Sequence, residues 1–131
     1  MIYTLKDLEK IDLKLKPGYK IFLYGDLGAG KTTIIKYILK NILGDNINIT
    51  SPTYIHYKKY DNNIYHFDLY RLENYDDFIN IGGEEIVDNG QNICFIEWPQ
   101  IIEEIFKPNI KIILNKVLDN ENERDIEIIY C

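Results

Sequence analysis

Ile21-Phe22-Leu23-Tyr24 is an unbroken apolar run between Lys20 and Gly25, and it predicts a buried strand. From Thr32 to Leu43 the pattern changes. Ile34, Ile38 and Ile42 form one row spaced by four, and Ile35, Leu39 and Leu43 form another, so both rows share one helix face. Ile93-Cys94-Phe95-Ile96 is a second continuous run, the mark of a central strand covered on both faces. Tyr54–Tyr60 and Ile64–Phe67, separated by Asp61-Asn62-Asn63, predict a hairpin, and Ile110–Leu114 and Ile126–Tyr130 predict two closing strands. Ile47-Asn48-Ile49 reads as a further short strand.

Weaker patterns fill the gaps. Thr4, followed by Leu5, Leu8 and Ile11, reads as the cap of a short opening helix with Asp7 in its first turn. Asn74 caps a short helix holding Tyr75 and Phe78, Gly82-Gly83 breaks it, and Glu84–Val87 adds one more turn. Pro99 suits the first turn of a helix carrying Ile101, Ile102 and Ile105. Strands and helices alternate well enough to predict one α/β domain over residues 1–131, with a mixed, largely parallel central sheet and an inserted β-hairpin.

The turn between the first core strand and the long helix carries the chemistry. Residues 25–32, Gly-Asp-Leu-Gly-Ala-Gly-Lys-Thr, match G-x-x-x-x-G-K-[ST], the phosphate-binding loop. Glycines let the backbone curl with its N–H groups inward, and the helix N-terminus behind them favours a bound phosphate. Lys31 is placed to reach the terminal phosphates and the Thr32 hydroxyl to ligate magnesium. A glycine turn with a solvated lysine is the competing reading, and the strand before it and helix after it favour the phosphate loop. The expected fold is therefore a three-layer domain of the P-loop NTPase type.

Hydrolysis in such a site needs an acid at the end of a neighbouring strand. Asp68 follows Ile64–Phe67 and Glu97 follows Ile93–Ile96; Glu97 ends the more continuous run. Either acid also suits a helix cap or an ion pair. Arg71 either reaches phosphates or pairs with an acid, and His66, alternating with Tyr65 and Phe67, reads as structural. Trp98 fits core, base-stacking and partner-facing roles alike. Thr50-Ser51-Pro52-Thr53-Tyr54 lies where a nucleotide-sensing segment would come.

Composition narrows the class. The chain has 131 residues, 46% of them hydrophobic and 27% charged, enough for one core. No apolar run approaches a membrane span, and the N-terminus lacks a signal-peptide pattern. Two cysteines make no disulfide framework, and Cys94, inside an apolar run, reads as a small buried hydrophobe, so a cytoplasmic location is expected. The net charge of −6 is unevenly spread: residues 72–106 hold nine acids and no base. That segment is either a docking face for a basic partner or a solvated surface. No basic stripe with interleaved aromatics suggests autonomous nucleic-acid binding.

Read together, GDLGAGKTT at 25–33, SPTY at 51–54, HFDLYR at 66–71 and IEWP at 96–99 resemble, in order and spacing, the TsaE family of tRNA threonylcarbamoyladenosine biosynthesis. The similarity runs from the opening helix to Arg124. It implies an ATPase, weak alone, that acts with TsaB and TsaD to place a threonylcarbamoyl group on adenosine N6 beside the anticodon. The tRNAs concerned read codons beginning with A. In that family TsaD performs the transfer, and ATP turnover by the TsaE-like protein resets the TsaB–TsaD assembly between rounds. The resemblance implies ATP and Mg2+ as cofactors, tRNA contact only through the complex, no membrane association, and a monomer in isolation.

Carried onto this chain, Gly28, Ala29, Gly30, Lys31, Thr32 and Thr33 would hold the phosphates. Thr32 and Glu97 would bind magnesium, Lys31, Asp68 and Glu97 would form the catalytic set, and Thr4 would approach the adenine. Thr53 would lie on the switch-like segment. One departure is that Lys36 and Tyr37 stand where the family usually has a basic residue followed by glycine. Two readings compete with the ATPase. A nucleotide-dependent assembly module would share the phosphate loop. A small-molecule kinase would want an arginine-rich acceptor site, and only Arg71 and Arg124 occur.

Overall fold

The computed structural model describes residues 1–4, 6–44, 55–61 and 63–131. Their strands are β1 (Ile2–Thr4), β2 (Lys20–Tyr24), β3 (Tyr57–Tyr60), β4 (Ile64–Asp68), β5 (Ile93–Glu97), β6 (Ile110–Val117) and β7 (Asn120–Tyr130). The α-helices are α1 (Lys31–Leu43), α2 (Tyr75–Asn80) and α3 (Gly83–Asp88). All seven strands join one sheet in the order β1-β7-β6-β2-β5-β4-β3. β6, β2, β5 and β4 are mutually parallel, while β3, β7 and β1 pair antiparallel with their neighbours. Among the described residues no helix is long and apolar enough to cross a membrane.

The continuous apolar runs become the middle of this sheet because both of its faces are covered. Alternate side chains go to opposite sides. Ile21, Leu23, Ile64, Phe95, Ile110 and Ile112 pack with Ile34, Ile35, Ile38 and Leu39 of α1. Phe22, Phe67, Cys94 and Ile96 pack on the other side with Phe78 of α2, Val87 of α3, and Ile102 and Phe106. Burying each large apolar side chain contributes about 1.5–3 kcal/mol, so these two layers carry most of the driving force.

Several predicted elements are shorter or longer than the pattern suggested. The opening helix is a single 3-10 turn, Asp7–Lys10, preceded by β1. Its N-cap is Lys6, without a side-chain cap, and Thr4 belongs to β1; Thr4 still reaches the turn, as Asp7 N–H donates to Thr4 Oγ1 at 3.3 Å and Thr4 N–H donates to Asp7 Oδ2 at 3.1 Å. The helix predicted after Pro99 is likewise a 3-10 turn, Pro99–Ile102. Asn74 does cap α2, its Oδ1 accepting from Asp77 N–H at 3.0 Å. The closing strands extend to eight and eleven residues because each pairs along most of its length with the other. The predicted strand at Ile47–Ile49 and the Thr50–Tyr54 segment, including Thr53, fall outside the described residues.

Candidate functional site

β2 runs into the glycine loop, and α1 begins directly behind it. Three backbone features shape the loop. A side chain at Gly25 would place Cβ 2.8 Å from the Leu114 carbonyl oxygen, so only glycine allows β6 to lie this close. Gly30, at φ 104, is the left-handed residue that caps α1. Ala29 N–H closes an internal turn onto the Asp26 carbonyl at 3.0 Å. No side chain caps α1 and no acid occupies its first turn, so its leading N–H groups and positive dipole end face the loop.

A cleft of about 310 Å3 opens over this loop, lined by Leu27 through Thr33 together with Asp68, Glu97 and Trp98. The acids arrive through the pleat. Asp68 and Glu97 are register partners at the carboxyl ends of β4 and β5, and Glu97 is also opposite Leu23 of β2. Glu97 has the same parity as Phe95, and Asp68 the same as Ile64, so both are directed to the α1 side of the sheet. Both are buried. The Thr32 hydroxyl donates to Glu97 Oε2 at 2.9 Å, joining the first turn of α1 to the end of β5. Asp68 Oδ1 accepts from Tyr70 N–H at 3.0 Å, which fixes the turn beyond β4.

Lys31 is 5% exposed, and its ammonium donates to the Gly25 and Asp26 carbonyls. It also lies 4.1 Å from the centroid of the Trp98 ring. Burial pushes the Lys31 ammonium below the usual lysine range, and the carboxylates of Glu97, Asp68 and Asp26 oppose that shift. Trp98 packs in turn on Tyr70, ring centroids 5.0 Å apart. The segment after Trp98 is tied to β2 by the Tyr24 hydroxyl, which donates to Glu103 Oε2 at 2.5 Å. Burial and that carboxylate raise the Tyr24 phenol above its ordinary range.

Sequence reasoning did not find two of the side chains that shape the site. His66 is fully buried and its Nε2 lies 2.5 Å from Glu97 Oε2, the same oxygen that accepts from Thr32. Parity was the available signal, because His66 and Asp68 stand two apart on one strand and face the same side. Arg124 of β7 donates from Nε to the Ala29 carbonyl at 2.8 Å, across 95 positions of sequence. Only the β6–β7 pairing could have revealed it. Thr4 does not line the cleft; it is exposed on β1, next to Tyr3, the register partner of Arg124. Arg71 lies exposed in the turn after Asp68.

A helix N-terminus without a side-chain cap, a buried ammonium and hard oxygen donors in one cleft suit a polyphosphate with a small divalent cation. Among the described residues no group of three or more His, Cys, Asp or Glu is placed to hold a metal by itself. Magnesium usually keeps water and phosphate oxygens beside one or two protein ligands, and the Thr32 hydroxyl and Glu97 carboxylate are oxygen donors that could serve.

Comparison with known proteins converges on one group. The sequence model of the family described as "Threonylcarbamoyl adenosine biosynthesis protein TsaE" matches residues 3–126. The tRNA threonylcarbamoyladenosine biosynthesis protein TsaE of Rickettsia felis is 43% identical over 129 residues, covering 96% of this chain and 74% of that protein. The protein of the same name from Bacillus subtilis is 38% identical over 112 residues, covering 82% and 68%. The crystal structure of Bacillus subtilis YdiB superposes with a TM-score of 0.60 at 31% identity, over 93% of this chain and 72% of that one.

Proposed function

Because this chain belongs to the TsaE family of threonylcarbamoyl adenosine biosynthesis, we propose that it is an ATP-hydrolysing accessory protein for threonylcarbamoyl modification of tRNAs reading codons that begin with A. It acts on a TsaB–TsaD complex in the cytoplasm and supports repeated turnover there. The observation that carries this reading is the contact between Thr32 and Glu97 at the mouth of the glycine loop. It brings a hydroxyl and a carboxylate from distant elements to the start of α1, where a P-loop NTPase has its magnesium site.

Each residue then has a task. The loop from Gly28 to Thr33 and the N-terminus of α1 would hold the phosphates, and Lys31 would leave its carbonyl partners to meet the phosphate charge. Thr32 and Glu97 would hold magnesium, and the ion would supply positive charge beside the phosphates. Asp68, level with Glu97 on the adjacent strand, orients the attacking water. Trp98 lines the cleft with its ring over the Lys31 ammonium.

Glu97→Ala separates hydrolysis from assembly. The variant is expected to bind ATP and dock on TsaB–TsaD yet fail to sustain tRNA modification beyond the first round. Docking with full modification and no hydrolysis would instead favour a nucleotide-dependent assembly module. A small-molecule kinase is not supported: of the two arginines, Arg124 is engaged with backbone carbonyls.

A further inference from the structure

His66 is a polar ring at 0% exposure, with Ile64 and Asp68 on the same side of its own strand, Phe95 opposite on β5 and Lys58 opposite on β3. Burying an imidazole is costly unless it is hydrogen-bonded. Its one contact of that kind among the described residues is Nε2 to Glu97 Oε2, and its Nδ1 has no partner there. A histidine kept for packing would be replaced by an apolar residue of similar size at no loss. A histidine kept for Glu97 would not. Glu97 Oε2 thus accepts from two sides, from Thr32 on α1 and from His66 on β4, and this leaves Glu97 Oε1 for another ligand. The carboxylate only accepts, so the shared proton sits on Nε2.

We propose that His66 is a positioning residue whose Nε2–H fixes the rotamer of Glu97, so that the carboxylate meets Thr32 and the magnesium of a bound nucleotide in one orientation. The inference rests on the hydrolytic reading above. It extends that reading to a residue behind the carboxylate, on the logic that partners behind a metal ligand set the ligand's direction and the metal's affinity.

His66→Met removes the donor with an adaptable apolar side chain, and His66→Gln keeps an N–H donor at similar reach. Both are compared with the wild-type full chain, with and without TsaB–TsaD, in two measurements. One is ATP turnover across a magnesium titration; the other is equilibrium binding of a fluorescent ATP analogue with and without magnesium. His66→Met is expected to raise the magnesium needed for half-maximal turnover by roughly tenfold and to lower kcat. It should leave KM for ATP and magnesium-free binding unchanged. His66→Gln is expected to restore most of the loss. A His66→Met protein with wild-type magnesium dependence in both measurements would overturn the proposal, as would a His66→Gln protein no better than His66→Met. Should the wild type itself not hydrolyse ATP, the hydrolytic reading fails, and the magnesium dependence of nucleotide binding still decides the role of His66.

Discussion

Trp98 holds its backbone at φ 56, in the left-handed region, where a bulky residue costs about 1–3 kcal/mol. The strain turns the indole back over Lys31 and onto Tyr70, instead of out along the strand direction of β5. Trp98 is the chain's one tryptophan, so its emission reports on the cleft. Saturating ATP is expected to shift that emission in the wild type and not in Lys31→Ala; equal, unshifted spectra would place the nucleotide elsewhere. Cys94 tests the sheet interior in the same residue-level way. Burial pushes its thiol up to about 12 from an ordinary value of 9.0, with Lys20 pulling weakly the other way. Cys131 is exposed. At pH 8 one thiol should react rapidly with a disulfide reagent, and the second only after unfolding. Because the folded pKa is raised, this contribution to stability is complete below pH 9 and is lost as pH rises from 9 through 12. Two equally fast thiols at pH 8 would contradict the burial of β5.

The α2–α3 junction shows how one small residue sets the spacing of an element. A Cβ on Gly83 would meet the Phe78 ring at 2.4–2.7 Å, and Phe78 is wholly buried against Phe67 and Tyr75. The ring has nowhere to go. Gly83→Ala is therefore expected to lower stability by about 1–3 kcal/mol in urea unfolding; a change within experimental error would mean the helices can separate without cost. At this scale the sequence was informative where periodicity was strong. The β2–loop–α1 unit, the hairpin and β5 could be read from apolar runs and turn residues. The two 3-10 turns could not, because a four-residue 3-10 turn and a short α-helix show the same apolar spacing. β1 was hidden because Ile2–Thr4 is three residues long and owes its existence to pairing with β7. Within the site, Lys31, Thr32, Asp68 and Glu97 lay in local motifs. The links from His66 to Glu97 and from Arg124 to Ala29 depend on which strands are neighbours, and strand order is not written in any local stretch.

For the whole molecule, the sheet order places the glycine loop where β2 has β5 on one side and β6 on the other, at the carboxyl ends of the parallel strands. Open α/β sheets bind ligands at that location. β5 brings Glu97 from one side, and β6 and β7 bring Leu114 and Arg124 from the other. Among the described residues, the acids that line the cleft are Asp68 and Glu97, side by side at the ends of β4 and β5. The most direct measurement is ATP hydrolysis by the purified chain, alone and with TsaB–TsaD, with Lys31→Ala as control. The account predicts slow turnover alone, a clear rise with the partners, and none in Lys31→Ala. Tight ATP binding with no turnover in either setting would contradict it.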